Sequence, residues 1–567
     1  MRTIGSINDL PDSLLDMWGP QSHTAVMDPE LELAEFFACL REDLGRRRIQ
    51  RGMQTLERMR PVIEAAAARD GGGILVGMLA QWVDAGFDCP ALIERLLARF
   101  PKAVRSALPL ADYLHLRMAE GFAAMSNEDF DGAAEHFRLI LRLQEEVDDP
   151  ELFAIVSFWT GRCLRKRGRY DEALQYTERG EHLALSRGYL EMAAIMQVTL
   201  SWLAFQKGRL NDANTILQRA ERALDPTDDF LSRGNIQSAY GRIARRQGKY
   251  EIAMERFGRA ISEFRIGGGG QLPLARTLTN LAFVKRLLAA RAQKELDQMA
   301  AVRRGHAGKA EGPTADLARE LRLRIEQIRH EARECLGEAR EIYTHHQNHR
   351  GIAAVQITEG FLHLDSGDLE RAATDAAAAF AHGSAKSDYF VMARARTLQC
   401  IVEHAAIEEQ VGQSSDRREA AEVFAREAVE FAGRTENRRL LARALVWQGL
   451  TFTVEPADLE AARRSCEQAL ALLQPEGLDR QYVWDDLESL KARVLHAQPV
   501  DAVLRAWSAG IVDGESFQQM SERFARIVIP RVWEREGFKV SRVAEKLSIS
   551  PKKVRRILQA IGRRASD

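Results

Sequence analysis

One six-residue stretch returns at a fixed distance along this chain. Gly168-Arg169-Tyr170-Asp171-Glu172-Ala173 is followed by Gly208-Arg209-Leu210-Asn211-Asp212-Ala213 and Gly248-Lys249-Tyr250-Glu251-Ile252-Ala253, and preceded by Asp129-Phe130-Asp131-Gly132-Ala133, with a step of 40 residues each time. A period in that range marks a stacked array of helical hairpins, in which each unit buries its apolar stripe only against its neighbours.

The residue types explain the unit. Glycine closes one helix because it accepts positive φ without a steric penalty. A bulky residue follows two positions later (Phe130, Tyr170, Leu210, Tyr250), and then an Ala where the two helices of a hairpin cross (Ala133, Ala173, Ala213, Ala253). A second small residue sits seven further on (Gly180, Ala220, Ala260), with Leu217 or Phe257 between, so one face of the second helix is apolar at helical spacing. The first helix has its own small position at Gly121, Gly161, Ser201 and Gly241. Small residues in register on both helices predict close antiparallel pairs.

This pattern resembles the tetratricopeptide repeat family, with a small residue in the first helix, Gly before an aromatic, and Ala-x3-aromatic-x2-Ala in the second helix. The resemblance covers roughly residues 70–475, and the unit is 40 residues rather than the family's usual length of about 34. It implies an all-α, right-handed α–α superhelix of about eight units.

The rest of the composition sets the frame. With 567 residues and 46% hydrophobic content the chain can bury a large core, and a solenoid is one continuous body whatever its length. The formal net charge is -1, so any nucleic-acid binding has to be local. The six cysteines (39, 89, 163, 335, 400, 466) form no C-x-x-C pair and no zinc pattern. Cys163, Cys400 and Cys466 fall at packing positions and read as small buried hydrophobes. No apolar run approaches a membrane span and no signal-peptide core is present, so the expected place of work is the cytoplasm, without a membrane partner.

Along the chain, residues 1–28 read as a disordered tail and 29–110 as N-terminal helices that include a degenerate repeat (Ile74 to Ala85, Ala91 to Phe100). The array runs over 111–476. Gly267-Gly268-Gly269-Gly270 lacks the Gly-Lys-Ser/Thr and the strand of a phosphate loop and reads as a connector. Between Tyr250 and its equivalent Arg329 lie 79 residues, one period plus 39, which predicts that both helices of one hairpin lengthen together into a projecting arm over 273–347. Its expected tip is the basic run Arg303-Arg304-Gly305-His306-Ala307-Gly308-Lys309. Residues 477–515 read as capping helices.

The last segment, 516–567, changes character. Phe538 to Leu558 reads as a short helix, a tight turn and a second helix, with Ala544 at the crossing, Leu547, Ile549, Val554 and Leu558 on the buried side, and Ser550-Pro551 as cap and first turn. From Lys539 to Asp567 there are nine Lys/Arg against two acids, the footprint of a phosphate-binding module on a nearly neutral protein. The stretch resembles the Fis-type helix-turn-helix found at the carboxyl end of many bacterial transcription regulators, with Gly537, Ala544, Leu547, Ile549 and Gly562 at the pattern positions. It departs at Phe538, where Asn is usual, and at Ser548, where Gly is usual. The resemblance implies double-stranded DNA as partner, held by Lys539, Arg542, Ser550, Lys552, Lys553, Arg555 and Arg556.

A second surface follows from the repeat resemblance, since in tetratricopeptide proteins the first helices line a groove that captures peptides or partner helices. It implies a partner groove near Phe158, Arg162, Arg165 and Lys166, then Trp202, Phe205 and Gln206, then Arg242, Arg245 and Arg246, a set suited to an acidic or amphipathic ligand. The pair His345 and His349, at i and i+4, lacks a carboxylate or Cys to complete a metal site and reads as polar residues at the frayed end of a long helix. No G-x-S-x-G, H-E-x-x-H or nucleotide fingerprint occurs, so neither enzyme activity nor a cofactor has a motif to stand on. The expectation is a DNA-binding regulator whose solenoid docks a partner, possible as a homodimer although no dimer seam is visible. The rival reading is a protein-binding scaffold that does not bind DNA.

Overall fold

The computed structural model describes residues 29–65, 71–87, 90–268, 271–305, 313–411, 414–454, 457–473, 483–497, 514 and 516–560. Among them every regular element is a helix. In order these are α1 (Pro29–Gly45), α2 (Ile49–Ala65), α3 (Gly72–Asp84), α4 (Pro90–Leu97), α5 (Lys102–Arg105), α6 (Leu110–Ser126), α7 (Phe130–Arg142), α8 (Pro150–Lys166), α9 (Tyr170–Ser186), α10 (Leu190–Gln206), α11 (Leu210–Leu224), α12 (Phe230–Arg246) and α13 (Tyr250–Ile266). There follow α14 (Gln271–Gly305), α15 (Pro313–His345), α16 (His349–Leu364), α17 (Leu369–Ala385), α18 (Tyr389–Glu408), α19 (Ser414–Gly433), α20 (Arg438–Phe452), α21 (Leu459–Leu473), α22 (Trp484–Ala497), α23 (Phe517–Arg535), α24 (Val540–Lys546) and α25 (Pro551–Ala560). They pack in consecutive antiparallel pairs, a tetratricopeptide-like α–α solenoid. The chain divides into two compact units, residues 1–395 with 431–437 and residues 396–430 with 438–567.

In the first unit the repeat chemistry is visible at the helix crossings. A methyl group added to Gly121 would lie 2.4 Å from the Phe137 ring, and one on Gly241 would lie 2.6 Å from the Phe257 ring. At Gly161 it would lie 2.3 Å from the Thr177 hydroxyl and 3.0 Å from the Ala173 carbonyl. The missing Cβ is thus the space into which the second helix inserts its middle side chain. Ala133, Ala173, Ala213 and Ala253 are fully buried at the same crossings. Turns between the paired helices use a left-handed residue, Gly168 (φ 82°), Gly208 (φ 83°) and Gly248 (φ 71°), and Asp129, Asp149, Asp229, Asn348 and Asp368 cap the helices that follow a turn.

Helix α14 runs 35 residues and α15 33, about twice the 17 of α8 or α9. Their far halves pack through Ala289, Leu296 and Ile325, while Ala332, Leu336 and Ala339 join the core of the neighbouring repeats. At about 1.5 Å per residue the pair is roughly 50 Å long. The basic run expected at the tip lies largely outside the described residues, as do residues 1–28, Cys89, Gly269-Gly270 and most of 474–515.

The N-terminal helices do more than precede the array. The α1–α2 turn lies along the starts of three first helices spaced 40 residues apart. Arg41 Nη2 is 3.1 Å from Asp149 Oδ2, Tyr189 Oη donates to Glu42 at 3.3 Å, and Arg47 Nε donates to Asp229 Oδ2 at 2.7 Å. Asp228 accepts from the Ile49 and Gln50 amides at 2.6 and 3.1 Å, so an acid from α12's entry caps α2. Asp112 does the same for α3, accepting from the Gly71, Gly73 and Ile74 amides.

Two sequence readings are corrected here. His345 is the last residue of α15 and His349 the first of α16, so the two rings do not share a helical face, and among the described residues no group of metal-ligating side chains forms. Phe158, Phe205 and Arg246, placed above at the groove, are only 6%, 5% and 4% exposed. Helices α8 and α10 are packed on both sides, so their aromatic residues serve the core. Cys163, Cys400 and Cys466 are buried, and burial pushes the thiols of Cys163 and Cys400 up to about 12.

In the second unit, Ala442, Val446, Ala462, Cys466, Leu487 and Leu490 form a core of α20, α21 and α22. Helices α23, α24 and α25 have a core of their own from Ile529, Trp533, Val540, Val543, Ala544, Val554 and Leu558. Among the described residues no helix is long and apolar enough to cross a membrane.

Candidate functional site

Helix α8 ends Arg162-Cys163-Leu164-Arg165-Lys166, α12 carries Arg242, Arg245 and Arg246, and α14 carries Arg276. The 40-residue period places these helices on the same side of successive hairpins, with α10 between α8 and α12, and their charges act on one another. Arg165 feels Arg276, Arg162, Arg242 and Arg350; Lys166 feels Arg350, Arg276 and Arg165; Arg276 feels Arg162 and Arg350. Each keeps some solvent access yet has protein on most sides, as a group on an inner wall does. Burial first, and the neighbouring guanidinium groups second, push Arg165 and Lys166 well below their ordinary values and Arg242 down to about 9. The arginines remain cationic at neutral pH, because a guanidinium keeps its proton in proteins.

Their counter-ions are unevenly shared. Arg162 donates to Asp84 at 2.7 Å, and Arg350 Nε is 3.0 Å from Asp388. Arg245 donates to the Asn280 amide oxygen at 3.0 Å and lies over the Phe283 ring. Arg165, Lys166, Arg242 and Arg276 have no carboxylate partner among the described residues. Arg165 instead lies over Trp202, 4.8 Å from the ring centre, and its Nε is buried without an acceptor. Lys166 lies over Phe130, and Glu128 is the weakest of the charges acting on it.

Of the residues expected at the groove, Arg162, Arg165, Lys166 and Arg242 are brought together, Trp202 supports Arg165, Gln206 lies beside Asn437, and Arg246 packs on Phe205 at 3.7 Å. Arg276 and Arg350 were not singled out. The period does not indicate Arg276, because the positions 40 and 80 residues before it are the buried Ile236 and Met196.

Beside this cluster is a cleft of about 230 Å³ with Phe130, Lys166, His349, Arg350, His382 and Tyr389 among its walls. The 168–171 turn closes on the 435–437 segment: Glu436 donates its amide to the Gly168 carbonyl at 3.0 Å and accepts from the Asp171 amide at 2.8 Å, and Asn437 donates to the Tyr170 hydroxyl at 3.2 Å.

In the second unit, Lys539, Arg542, Ser550, Lys552, Lys553, Arg555 and Arg556 are all exposed on α24, α25 and their flanks. Ser550 also accepts from the Lys553 amide at 3.3 Å, as an N-cap. Both departures from the helix-turn-helix pattern fall on left-handed residues, Phe538 (φ 65°) and Ser548 (φ 51°). Phe538 is held there by an edge-on contact with Trp533, centroids 4.9 Å apart, whereas Ser548 has no such contact. Accordingly, Ser548→Gly should stabilise this module by about 1 kcal/mol, since an L-residue in the left-handed region costs about that much. Thermal unfolding followed near Trp533 will show it, and Phe538→Gly should do the opposite by losing the ring contact.

No family model matches the chain, and no curated protein matches it. Solved structures do. A Rap protein complexed with competence and sporulation factor superposes with a TM-score of 0.50 at 12% identity, covering 72% of this chain and 99% of that one. A monomeric mutant of IFIT1 with Gppp-AAAA gives 0.43 at 11%, covering 83% and 95%. A signal-transduction ATPase with a tetratricopeptide repeat sensor from Pyrococcus horikoshii gives 0.34 at 13%, covering 70% and 57%. The repeat packing described above, with the likeness to the Rap protein, defines the fold as a tetratricopeptide-like solenoid.

Proposed function

We propose that this protein is a regulator that captures a peptide or protein partner on the cationic face of its first helices and binds double-stranded DNA through α24 and α25. The observation that carries the first part is the set Arg165, Lys166, Arg242 and Arg276 on the first helices, half-buried and without a carboxylate partner among the described residues, with Arg165 stacked on Trp202 and its Nε lacking an acceptor. Like charges held close in a partly desolvated site raise the energy of the empty protein, and an anionic partner relieves it. The Rap protein of similar fold is complexed with a factor, which agrees with a solenoid that receives a partner.

The second part is supported by the seven exposed polar and basic side chains on the small three-helix module. Its test is a salt titration of full-length protein on duplex DNA. The affinity should fall steeply with salt, and Lys552→Ala with Arg556→Ala should reduce the log–log slope by about 2, close to 0.9 per phosphate contact. A slope near zero in the parent protein leaves the partner-binding scaffold as the function. For the first part, acidic peptide pools should bind the parent protein, and Arg165→Gln with Arg242→Gln should abolish that binding without loss of helix content.

A further inference from the structure

We propose that the cleft walled by the α6–α7, α8–α9 and α17–α18 turns and the start of α16 is a binding site for a small dianion that carries a hydrogen-bond donor of its own, the class of a hydroxylated phosphomonoester or a hydroxydicarboxylate. The proposal goes beyond the partner reading above and does not depend on it; Lys166 is the side chain the two share.

The first constraint is size. At about 230 Å³ the cleft falls below the roughly 300–1,000 Å³ of a site for a drug-sized molecule, so it admits a small metabolite and not a helix. The second is charge. Its walls carry six Lys and Arg side chains against three acids. Asp131 is paired with Arg167, and Asp388 with Arg350 at 3.0 Å. Lys166 and Lys386 are in no ion pair among the described residues, and Lys166 is held instead over the Phe130 ring, 5.8 Å from its centre. The rings of His349 and His382, 5.8 Å apart, line the same cleft and can each supply a donor. Two unpaired ammonium groups and two imidazoles suit a ligand with two negative charges, which a phosphomonoester and a dicarboxylate both bring.

The third constraint is Glu128. Its Oε2 accepts from the His349 amide at 3.0 Å, across 221 positions of sequence, whereas its Oε1 is buried with no donor. His349 Nδ1 is likewise buried without a hydrogen-bond partner. A buried carboxylate oxygen left unsatisfied is costly, and it also raises the energy of a plain anion placed beside it. A ligand removes both costs if it turns an O–H toward Glu128 while its anionic end faces the lysines. Inorganic anions without such a donor satisfy the lysines alone. Because the walls join turns far apart in the chain, an occupant also fastens the Glu128–His349 closure, and binding should register as stability.

The test uses the full-length chain and four probes: glycerol 3-phosphate and malate, with their donor-free counterparts methyl phosphate and succinate. In calorimetry, one of the first two should bind at least tenfold tighter than its counterpart, and at a hundred times its Kd it should raise Tm by a few degrees. Which of the two does so separates a phosphate source from a dicarboxylate one. Lys386→Glu, at an exposed position, should abolish that binding and leave the Tm of the free protein unchanged. Glu128→Gln keeps an acceptor for the His349 amide but presents an NH2 to the cleft. It should therefore bind the donor-free probe more tightly and lose the tenfold preference, whereas a merely structural role would lower Tm and leave the preference intact. Equal affinity within both pairs, no binding of any probe, or binding unchanged in Lys386→Glu overturns the assignment. The acidic peptide pool should bind Lys386→Glu as it binds the parent, so failure of the probes leaves the partner reading standing. Loss of the peptide pool in Lys386→Glu, with no probe bound by the parent, makes the cleft part of the partner face and overturns the small-ligand site.

Discussion

Replacing Asp229 with Ala is expected to lower the stability of the first unit by about 3–5 kcal/mol, the effect of leaving one partner of a buried ion pair alone. Arg47 and Asp229 have side chains 5% and 0% exposed, and Asp229 also accepts from the Ser232 amide to cap α12. Its loss therefore strands a guanidinium and uncaps a helix. Urea unfolding followed by circular dichroism will measure the loss, and hydrogen exchange should place the fastest new exchange in α1 and α2. Asp229→Asn keeps the cap and should fall between the two. The neighbouring contact at Asp149 has a signature in pH. Burial raises the Asp149 carboxyl, but the hydrogen bond from His115, the charge of Arg41 and the Leu152 amide outweigh it and hold the group at about 2. A carboxyl lower in the folded than in the unfolded chain stabilises above its ordinary value near 3.8 and loses that contribution as pH falls through 2. Asp149→Asn should thus flatten the acid limb of the stability curve between about pH 4 and 2 and leave its alkaline side unchanged.

The second large effect is expected at a helix crossing. Gly161→Leu places a side chain where even a Cβ would be 2.3 Å from the Thr177 hydroxyl and 3.0 Å from the Ala173 carbonyl. The hydroxyl can turn away, but the carbonyl belongs to the backbone of α9 and moves only with its helix. The cost should reach or exceed the upper end of overpacking, about 3 kcal/mol. Because repeats stack through nearest neighbours, the loss should spread to α10 and α11 and show as a broadened, less cooperative transition. Gly161→Ala with Thr177→Ala should recover a large part of it. The same paired change at Gly188, where a Cβ would meet nothing, cannot serve as a control for packing, because its φ of 74° makes substitution strained in itself.

The sequence carried the period, the crossing residues and the helical turns, because each unit repeats the same local requirement and the register is read by counting. Gly121, Gly161, Ser201 and Gly241 were legible as small positions, and Ser201 shows why a hydroxyl is admitted, since it donates to the Ala213 carbonyl at 2.9 Å. Contacts made once were not legible. Arg47 meets Asp229 across 182 positions and Asn437 meets Tyr170 across 267, and nothing local announces either pair. The candidate site was readable in part for the same reason. Arg165 and Arg242 fall at repeating positions, whereas Arg276 sits in the one first helix that the insertion prolongs. Phe158 and Phe205 were placed at a groove because the repeat resemblance puts the first helices there, whereas both rings are turned into the core, 6% and 5% exposed.

The docking of α1 and α2 has a bearing on biosynthesis. Residue 47 leaves the ribosome 182 residues ahead of the aspartate that receives it. At about 5–20 residues per second, that is an interval of roughly 10–40 s in which Arg47 is made but Asp229 is not. Leu40, Leu44, Ile49 and Leu56 share their core with residues up to Met196, so the leading helices can be covered before α12 emerges, and the buried ion pair is the contact that closes last.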